Sequence, residues 1–468
     1  MNKNNIIGFA LIAAVLIGFG IWNQPSDEQI AAQKHQDSIE NVARQNAENA
    51  AKLAAQQKIA QAKAAAEADT TALFHAALKG NATNVVLKNK DLELTINSKG
   101  GVVSKAVIKN FEDRNGNKDV TLFDSSTQSL NFALAAKNVN INTADLYFTP
   151  SNQTDSTVTM TAEAGKGKAL VINYVLGKDY MLHTQMQAVG MANDFAPSTS
   201  QMDVQWKDLV RQQERGFTFE NRYASLTYHK TDGGTDYLSE AKNLKDETIE
   251  DKIDWVAFKN QFFSAVMIAK NDFAENSQMT SIPQEKGSGY LKQYEAKMKT
   301  SFDPSGKTPS EFDFYFGPND FRLLNRVEKE CQFNKDLEMQ RLVYLGWPLF
   351  RIINRWFTIY VFDFLTGLNI NMGIVLILIT MLLKFITYPM VKKSYMSSAK
   401  MRVLKPKLEE ATKHLNKPED QMQKQQAMMM EYSKYGVSPM AGCLPMLIQM
   451  PIWIAMFNFV PNAIQLRG

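Results

Sequence analysis

Cysteine and histidine are scarce in this sequence, and their scarcity limits the chemistry that the chain can perform. The 468 residues include only two cysteines, Cys331 and Cys443, which lie far apart. Two such cysteines form neither a disulfide framework nor a zinc-binding spacing. The five histidines are equally scattered: His35, His75, His183, His229 and His414. The sequence therefore predicts no metal site and no cofactor.

The sequence also lacks a large net charge, and it is not hydrophobic along most of its length. The formal net charge is +4 at pH 7, which is too small to indicate nucleic acid as a specific partner. The mean hydropathy of -0.28 is lower than that of a chain made mostly of membrane spans. Apolar residues are instead concentrated in a few short stretches. This distribution predicts a water-soluble domain that is tethered to membrane segments.

The first apolar stretch, Ile6 to Trp22, has 17 residues and no charge. That length is just sufficient to cross a bilayer core of about 30 Å. Its end, Gly18 to Trp22, lacks the small residues that a signal peptidase prefers. We therefore favour a retained membrane anchor over residues 1–22, with a cleaved signal peptide as the alternative. Residues 23–83 are rich in Ala, Gln, Lys and Glu, which predicts a helical or solvated linker.

Residues 84–318 show the alternation of apolar and polar side chains that is typical of β-strands. Examples are Leu92 to Ile96, Ser156 to Thr161 and Leu170 to Val175. Turn residues such as Asp232 to Gly234 separate these segments. Short strands with regular turns between them predict an antiparallel all-β sandwich.

Residues 319–371 are predicted to link this domain to the membrane. They begin with a short helix, Asp320 to Cys331, and continue through the aromatic stretch Leu345 to Leu365. Arg351 and Arg355 are four residues apart and therefore share one helical face. Aromatic rings cover much of the rest, which is typical of a helix that lies in the membrane interface with its arginines among the headgroups. A tilted spanning helix is the alternative.

Two further apolar stretches predict membrane spans. Residues 372–390 contain a single charge, Lys384, and residues 440–468 include the apolar run Leu444 to Val460. The 49 residues between them, 391–439, carry ten Lys or Arg against five Asp or Glu. Basic loops of this length remain in the cytoplasm. Three spans with this loop inside place the N-terminus in the cytoplasm and the β-rich region outside.

The basic loop is predicted to fold as a helical hairpin. Apolar residues recur with helical spacing in two stripes: Met401, Leu404, Leu408 in one and Met422, Met429, Tyr432 in the other. Two antiparallel helices that pair these stripes form a coiled coil. The run Met428-Met429-Met430 exceeds what one seam requires. Because thioether chains adapt to many shapes, these methionines are candidate contacts for apolar segments of a client protein.

Lys384 is the one charge in its apolar stretch and carries the functional hypothesis. A lysine inside a membrane costs about 2.5 to 3.5 kcal/mol on insertion scales, so it normally faces water or a partner. Thr380 and Thr387 lie on the same helical face. A water-filled groove would hydrate the ammonium group, with Gln449 and Asn458 of the next span in its wall. Snorkelling to headgroups about 7–8 Å away is an equal alternative.

Several of these segments together are similar to one known family. Lys384 to Pro389, followed by Ser394-Tyr395, resembles the exit of the second membrane helix in YidC-type insertases. Gly436 to Ile452 is similar to that family's third-helix signature. Leu92 to Phe111 and Asp254 to Phe263 resemble blocks of its periplasmic domain. The resemblance covers nearly the whole chain apart from the linker.

The resemblance implies a multi-pass protein of the bacterial inner membrane. Its fold would combine a periplasmic β-sandwich of the galactose mutarotase type with an α-helical insertase domain and a cytoplasmic coiled-coil hairpin. The implied function is that of an insertase and chaperone rather than an enzyme: nascent membrane proteins are inserted and folded, alone or beside the Sec translocon and the ribosome, in contact with the lipid bilayer. The family continues after Arg467 with two more spans, so this chain is expected to stop short of them.

Many members of that family have an arginine where Lys384 stands. The resemblance implies that this residue attracts acidic groups in the translocated segment of a substrate. Such attraction is stronger in a partly desolvated groove than in water. Lysine keeps the charge but loses the bidentate geometry of arginine, and its presence suggests a Bacteroidetes-like lineage.

Two other functions are compatible with parts of the sequence. A membrane-anchored periplasmic carbohydrate-binding or mutarotase-like protein would use the β domain. Such an enzyme needs a general acid and a general base in a cleft, and no histidine–carboxylate set stands out in the sequence. A channel or transporter subunit is the third hypothesis, and the lack of an internal repeat in the sequence disfavours it.

Overall fold

The computed structural model describes residues 72–467 apart from positions 138, 197, 239–243, 332, 413–420 and 437–443. The predicted N-terminal anchor, most of the linker, the turn of the hairpin and Cys443 lie outside the described residues. The described chain divides into two compact units. We call them the β unit, residues 72–375 and 451–467, and the helical unit, residues 376–450.

The β unit is built on antiparallel strands. The described strands are β1 (Asn84–Lys88), β2 (Leu92–Asn97), β3 (Val102–Ile108), β4 (Val120–Phe123), β5 (Gln128–Ala135), β6 (Asn140–Asn142), β7 (Thr149–Ser151), β8 (Thr157–Gly165), β9 (Lys168–Leu176), β10 (Met181–Val189), β11 (Gln201–Arg211), β12 (Ser225–Lys230), β13 (Thr235–Tyr237), β14 (Lys245–Ile249), β15 (Ile253–Lys259), β16 (Phe263–Phe273), β17 (Ser277–Pro283), β18 (Tyr290–Ser301) and β19 (Ser310–Pro318).

The helices connect these strands and form the rest of the described chain. The α-helices are α1 (Phe217–Tyr223), α2 (Phe321–Glu330), α3 (Pro348–Ile353), α4 (Ile359–Thr366), α5 (Met372–Ala411), α6 (Gln421–Lys434) and α7 (Leu444–Phe459). A π-helical turn, Asn354–Thr358, joins α3 to α4. We call the resulting continuous helix, residues 348–366, the aromatic helix. Short 3-10 turns occur at Ala76–Leu78, Thr143–Asp145, Ala192–Asp194, Met339–Leu342, Val460–Asn462 and Ile464–Leu466.

The first four strands form a separate sheet in sequence order. In β2 the apolar residues Leu92, Leu94 and Ile96 are fully buried, whereas Glu93 and Thr95 between them are only half-buried. Successive side chains of a strand point to opposite faces of its sheet, so this alternation buries one face. The strand prediction for this segment is confirmed.

The remaining strands form two layers that are joined at a single residue pair. One layer has the order β6-β5-β11-β18-β17-β14, and the other runs β7-β8-β9-β10-β19-β16-β15-β12-β13. They are joined where Phe273 of β16 pairs with Thr300 of β18. A single pair between two long strands lets the sheet fold over on itself, so that the two layers can face each other.

Aromatic side chains fill the space between the layers. Trp206 of β11 stacks on Phe258 of β15 with ring centroids 4.0 Å apart, and Tyr294 of β18 lies 5.5 Å from the same phenyl ring. Phe132 of β5 meets Phe312 of β19 at 5.4 Å. Each of these pairs joins one layer to the other. The predicted all-β sandwich is therefore confirmed.

The small sheet covers one side of this sandwich. Phe123 of β4 packs edge-to-face on Phe316 of β19 at 5.4 Å. The buried hydroxyl of Tyr174 donates a 2.6 Å hydrogen bond to the carbonyl of Gly101. Gly101 has a φ of +65°, and a Cβ there would lie 2.8 Å from the ring of Phe148. The turn between β2 and β3 therefore requires glycine for both conformation and space.

The end of the described chain is fastened to the β unit. The side-chain amide of Gln261 donates a 2.6 Å hydrogen bond to the carbonyl of Pro461. Arg467 pairs with Glu214 at 2.6 Å and lies over the ring of Phe263. Residues that follow α7 are thus held by strands and loops that precede them by about 200 positions or more.

Helix α5 is longer than the predicted span that it contains. It runs from Met372 to Ala411 over 40 residues and contains Pro389 and Pro406, so the helix continues beyond Met390, where the span is predicted to end. A proline removes one backbone hydrogen bond and bends a helix, and the helix-forming residues on both sides of it keep the helix intact here. At 1.5 Å per residue the helix is about 60 Å long, twice the thickness of a bilayer core.

The stacked ring of Trp206 gives a test of the sandwich. We expect Trp206→Ala to lower the free energy of unfolding of the β unit by about 3–5 kcal/mol, because it leaves a cavity between the two layers. Urea denaturation of the full chain in detergent, followed by tryptophan fluorescence, measures this. Val175→Ala, at an exposed position of β9, is the control and should cost less than about 1 kcal/mol. Equal losses for the two variants would contradict this packing.

Candidate functional site

Helix α5 carries the charged residue that the sequence singles out. The side-chain oxygen of Asn371 accepts a 2.8 Å hydrogen bond from the backbone N–H of Gly373 and so caps the start of the helix. A run of Ile, Leu, Val and Met follows. Within the part of the chain that the structure describes, α5 is the one helix long and apolar enough to cross a membrane. Lys384 lies in its apolar part.

Lys384 has an exposed side chain, and the two threonines predicted beside it differ in their surroundings. Thr380 is half-buried and donates to the carbonyl of Leu376 at 2.8 Å. Thr387 is buried and donates to the carbonyl of Leu383 at 2.9 Å. Both hydroxyl protons are therefore used within the helix, and each oxygen keeps the capacity to accept a hydrogen bond from water or from an ammonium group.

The polar side of α5 is narrower than the sequence predicts. Ile377, seven residues before Lys384 and hence on the same face, is exposed. Met381 is exposed, and 79% of Phe385 is exposed. Val375, Ile379, Leu383 and Thr387 instead form a buried stripe. Lys384 therefore lies at the border between that stripe and an exposed apolar surface.

The two candidates on α7 lie in different units. Gln449 is half-buried and belongs to the helical unit. Asn458 belongs to the β unit, where its side-chain amide donates to the carbonyl of Ile454 at 2.8 Å. A Cβ built on Gly346 would lie only 2.7 Å from that amide nitrogen. Asn458 therefore packs against the segment that leads into the aromatic helix.

Asn354 is a polar residue whose role the sequence analysis missed. It is fully buried in the π-helical turn, and its amide donates to the carbonyls of Leu345 at 3.1 Å and Ala455 at 2.8 Å. Phe362 and Phe459 meet edge-to-face at 5.2 Å in the same contact. The aromatic helix is thus joined to the second half of α7. The sequence did contain a signal for this contact: an asparagine within an apolar stretch is expected to be buried, and a buried amide needs hydrogen-bond partners.

The outer face of the aromatic helix is apolar. Trp347 is 74% exposed and Trp356 is 69% exposed, and Leu349, Ile352 and Tyr360 are also exposed. Exposed tryptophans beside aliphatic residues are typical of helices that lie at a membrane surface.

The two helices of the basic loop meet through a small apolar cluster. Leu404 and Leu408 of α5 are buried, and Met401, Met428 and Tyr432 pack against them. The prediction that Met422 and Met429 form this seam is wrong, because Met428 faces α5 instead and Met422 is exposed. Met429 and Met430 are 62% and 64% exposed. Two of the three predicted methionine contacts therefore lie on the surface.

Two histidine–aspartate pairs lie in the β unit, although none stood out in the sequence. His183 of β10 and Asp313 of β19 are cross-strand neighbours, with Nδ1 2.7 Å from the carboxylate. His229 lies 2.9 Å from Asp254 and is 2% exposed. Partners this far apart in sequence have no local signal. Neither histidine lines the cavities of about 100 and 350 Å³ in this unit.

The buried thiol of Cys331 joins the first of these pairs. It donates to the second carboxylate oxygen of Asp313 at 3.2 Å. Burial, together with the charge of Asp313, raises the pKa of Cys331 to about 12. A thiol with so high a pKa is a poor nucleophile at neutral pH.

Comparisons with known proteins identify the family. A family model described as "YidC periplasmic domain" matches residues 84–360, and one described as "60Kd inner membrane protein" matches residues 364–468. A membrane protein insertase YidC from Phocaeicola vulgatus is 49% identical over 475 residues, which cover 100% of this chain and 75% of the relative. The chain belongs to the YidC family of membrane protein insertases. YidC proteins from Bacteroides fragilis and Parabacteroides distasonis are 46% and 39% identical over the same shares of both chains.

These relatives agree with the lineage and the location expected from the sequence. YidC members are bacterial inner-membrane proteins with a periplasmic domain, and the matched relatives come from Bacteroidetes. The β unit therefore contains the YidC periplasmic domain.

Solved structures give a weaker likeness. A crystal structure of an active YidC insertase has a TM-score of 0.28 and 15% identity, covering 84% of this chain and 74% of that one. A galactose mutarotase-like protein from Lactobacillus casei has a TM-score of 0.34 and 11% identity, covering 50% of this chain and 100% of that one.

The His183–Asp313 pair predicts a pH dependence of stability. The hydrogen bond that the protonated ring of His183 donates to the carboxylate of Asp313 raises the pKa of His183 above 6.5 in the folded protein. The stabilisation is therefore complete below pH 6.5 and is lost as the pH rises through the folded pKa. We expect His183→Gln to lower the free energy of unfolding by about 1–3 kcal/mol at pH 5.5 and by less at pH 9.

Denaturation of the full chain in detergent at several pH values measures this difference. In an Asp313→Asn background the same histidine substitution should lose most of its pH dependence. A loss that stays constant from pH 5.5 to pH 9 would show that the ion pair contributes nothing.

Proposed function

We propose that this protein inserts nascent membrane proteins by drawing their acidic segments toward Lys384. The observation that supports this proposal is an exposed lysine in the apolar part of α5. A charge at such a position requires water or a partner, since its transfer into hydrocarbon is unfavourable. A hydrated groove would meet that requirement and would also leave the ammonium group accessible to a substrate.

The attraction depends on how dry the groove is. Two unit charges 4 Å apart attract each other by about 1 kcal/mol in water and by about 4 kcal/mol at an effective dielectric constant of 20. A carboxylate that enters a partly desolvated groove therefore gains more from Lys384 than it would gain in bulk solvent. This additional attraction offsets part of the free energy needed to remove the carboxylate from water. It therefore lowers the barrier to moving the substrate segment across the membrane.

The neighbouring polar groups would form the wall of the groove. Thr380 and Thr387 keep acceptor oxygens, as their protons are bonded within α5. Gln449 would contribute an amide from the part of α7 that belongs to the helical unit. Together these groups would order water around the ammonium group without neutralising it.

The basic loop would receive substrates on the cytoplasmic side. Met429 and Met430 are exposed on α6, and Lys407 stands over the ring of Tyr435 at 5.0 Å on the same hairpin. Flexible thioether chains suit apolar segments of varied shape.

In this arrangement the protein is a multi-pass protein whose N-terminus and residues 391–439 face the cytoplasm. Residues 1–22, 372–390 and 440–468 would supply its spans.

The partners would follow from this topology. Nascent chains from the ribosome would reach the hairpin first, and the Sec translocon would act beside the protein for larger clients. No covalent step is required, since insertion depends on binding and release alone. A mutarotase-like activity is not favoured, because relatives that match the whole chain are insertases and because His229 and Asp254 are both buried.

The test is substitution of Lys384 in the full-length protein, expressed in a strain depleted of its own insertase. We expect Lys384→Glu to slow insertion of a substrate with an acidic translocated tail by about tenfold or more, a change of about 1.4 kcal/mol in the barrier. Lys384→Ala should slow it less, and Lys384→Arg should keep most of the activity because the charge remains. Protease protection of the translocated tail measures insertion.

Lys392→Ala is the matched control, because Lys392 is exposed on the same helix but lies beyond its apolar part. It should insert the acidic substrate normally. A substrate whose tail has no acidic residues should depend less on Lys384. Normal growth and insertion with Lys384→Glu would rule out the groove charge.

A further inference from the structure

A basic cavity lies between the β unit's strands and the start of its aromatic helix. Its volume is about 100 Å³, and its lining includes Lys259, Arg341, Arg351 and Arg355. A cavity needs about 10–15 Å³ to hold one water molecule, so this one has room for a group of several heavy atoms. Four cations from three different parts of the chain converge there.

The positive charge of this cavity is only partly compensated. No Asp or Glu occurs among the described residues that line it. Arg341 is paired with Glu338 at 2.6 Å. The described chain places no carboxylate within ion-pairing distance of Arg351 or Arg355. Like charges held together without counterions repel each other, and a bound anion would relieve that repulsion.

The pKa of Arg351 agrees with this surplus. Burial lowers the pKa of Arg351, and the nearby guanidinium groups of Arg341 and Arg355 lower it further, whereas the carboxylate of Glu338 acts in the opposite direction. Arg341 comes from the segment after α2, and Arg355 comes from the next turn of the aromatic helix.

Two buried polar atoms in the lining lack partners. The hydroxyl oxygen of Thr235 and the side-chain oxygen of Gln340 are buried, and the described residues offer no hydrogen-bond partner to either. Buried polar atoms are normally satisfied, so each exception requires an explanation. A hydroxyl can donate to an anion, and an amide can present either its N–H₂ or its oxygen to a ligand that combines oxyanions with hydroxyls.

The aromatic helix also has an exposed apolar face that suits a lipid surface. Leu349, Ile352 and Trp356 follow one another at three and four residues and are exposed, so they form one apolar face. Arg351 is rotated by about 100° from Ile352, and Arg355, three residues after Ile352, lies at the edge of that face. A helix lying on a membrane with its apolar face inward would hold these arginines at the depth of lipid phosphates.

We propose that this cavity is a phosphate-binding site in which Arg351 and Arg355 hold a phosphate oxyanion. Guanidinium groups suit this ligand because their planar donor sets match its oxygens. An anionic phospholipid headgroup and free inorganic phosphate share this chemistry. The site is separate from Lys384, and its occupation would fasten the aromatic helix and the β domain above it to the membrane surface.

The experiment uses the full-length protein in a zwitterionic detergent. Short-chain phosphatidylglycerol, short-chain phosphatidylcholine and inorganic phosphate are titrated separately, and the rise in Tm is followed. We expect a saturable rise with phosphatidylglycerol and none with phosphatidylcholine. In the double variant Arg351→Gln/Arg355→Gln the apparent affinity should fall about tenfold or more, since each charge-assisted contact is lost.

Inorganic phosphate distinguishes the two sources. Saturation by phosphatidylglycerol at concentrations where phosphate has no effect identifies a lipid headgroup, whereas equal or tighter saturation by phosphate identifies a soluble ligand. Either result supports a phosphate site, provided that it is lost in the double variant. An affinity that the double variant leaves unchanged overturns the proposal.

The matched control is Lys88→Gln/Lys90→Gln, which removes the same charge from exposed positions of the β unit. It should bind phosphatidylglycerol like the parent protein, and an equal loss of affinity would mean that net charge alone attracts the lipid. If the arginine double variant does not fold, Arg355→Gln carries the test, because Arg355 is exposed at the rim. An unchanged affinity in that single variant, with phosphate and lipid both tested, would likewise overturn the proposal.

Discussion

A polar group removed from water must find another partner, and this requirement shapes both units of the protein. In the β unit it is met within the fold: the buried amide of Asn354 donates to two carbonyls, one of them on α7. In the helical unit Lys384 has an exposed side chain within an apolar helix. The same physical rule thus produces a closed hydrogen-bonded junction in one place and a charge that depends on external water or a ligand in the other.

The β unit does more than extend into the periplasm. The indole of Trp255 donates to the carbonyl of Leu337 at 2.8 Å, so the segment that leads to the aromatic helix is fixed to the sandwich core. Gln261 and Glu214 hold the residues that follow α7. Both the entry to the aromatic helix and the end of the last described helix are therefore positioned by strands.

Local patterns in the sequence were sufficient for most of the fold. The strand β2 is recognised from apolar residues at every second position, and the membrane-spanning part of α5 is recognised from an apolar run of about 20 residues. Both signals lie within a short stretch of sequence. Long-range pairs could not be found in this way. His183 and Asp313 are 130 positions apart and meet only because β10 and β19 are neighbours in the sheet.

The details of helix packing were also beyond the sequence. Met428 and Met429 have identical side chains. They differ in exposure only because the rotation of α6 about its own axis turns Met428 toward α5, and tertiary contacts determine that rotation. The sequence also did not show that α5 continues through Pro389, because a proline can mark either a break or a bend in a helix. For the candidate site, the position of Lys384 in an apolar helix was predictable, whereas the exposed apolar neighbours on its face were not.

The continuity of α5 through Pro389 has a geometric consequence. With no loop between its apolar part and the hairpin, Lys384 lies on the same helix as Leu404 and Leu408, which pack against Met428 and Tyr432. Because residues of one helix are related by a regular rotation, the direction in which Lys384 projects is tied to the direction in which Leu404 and Leu408 face α6.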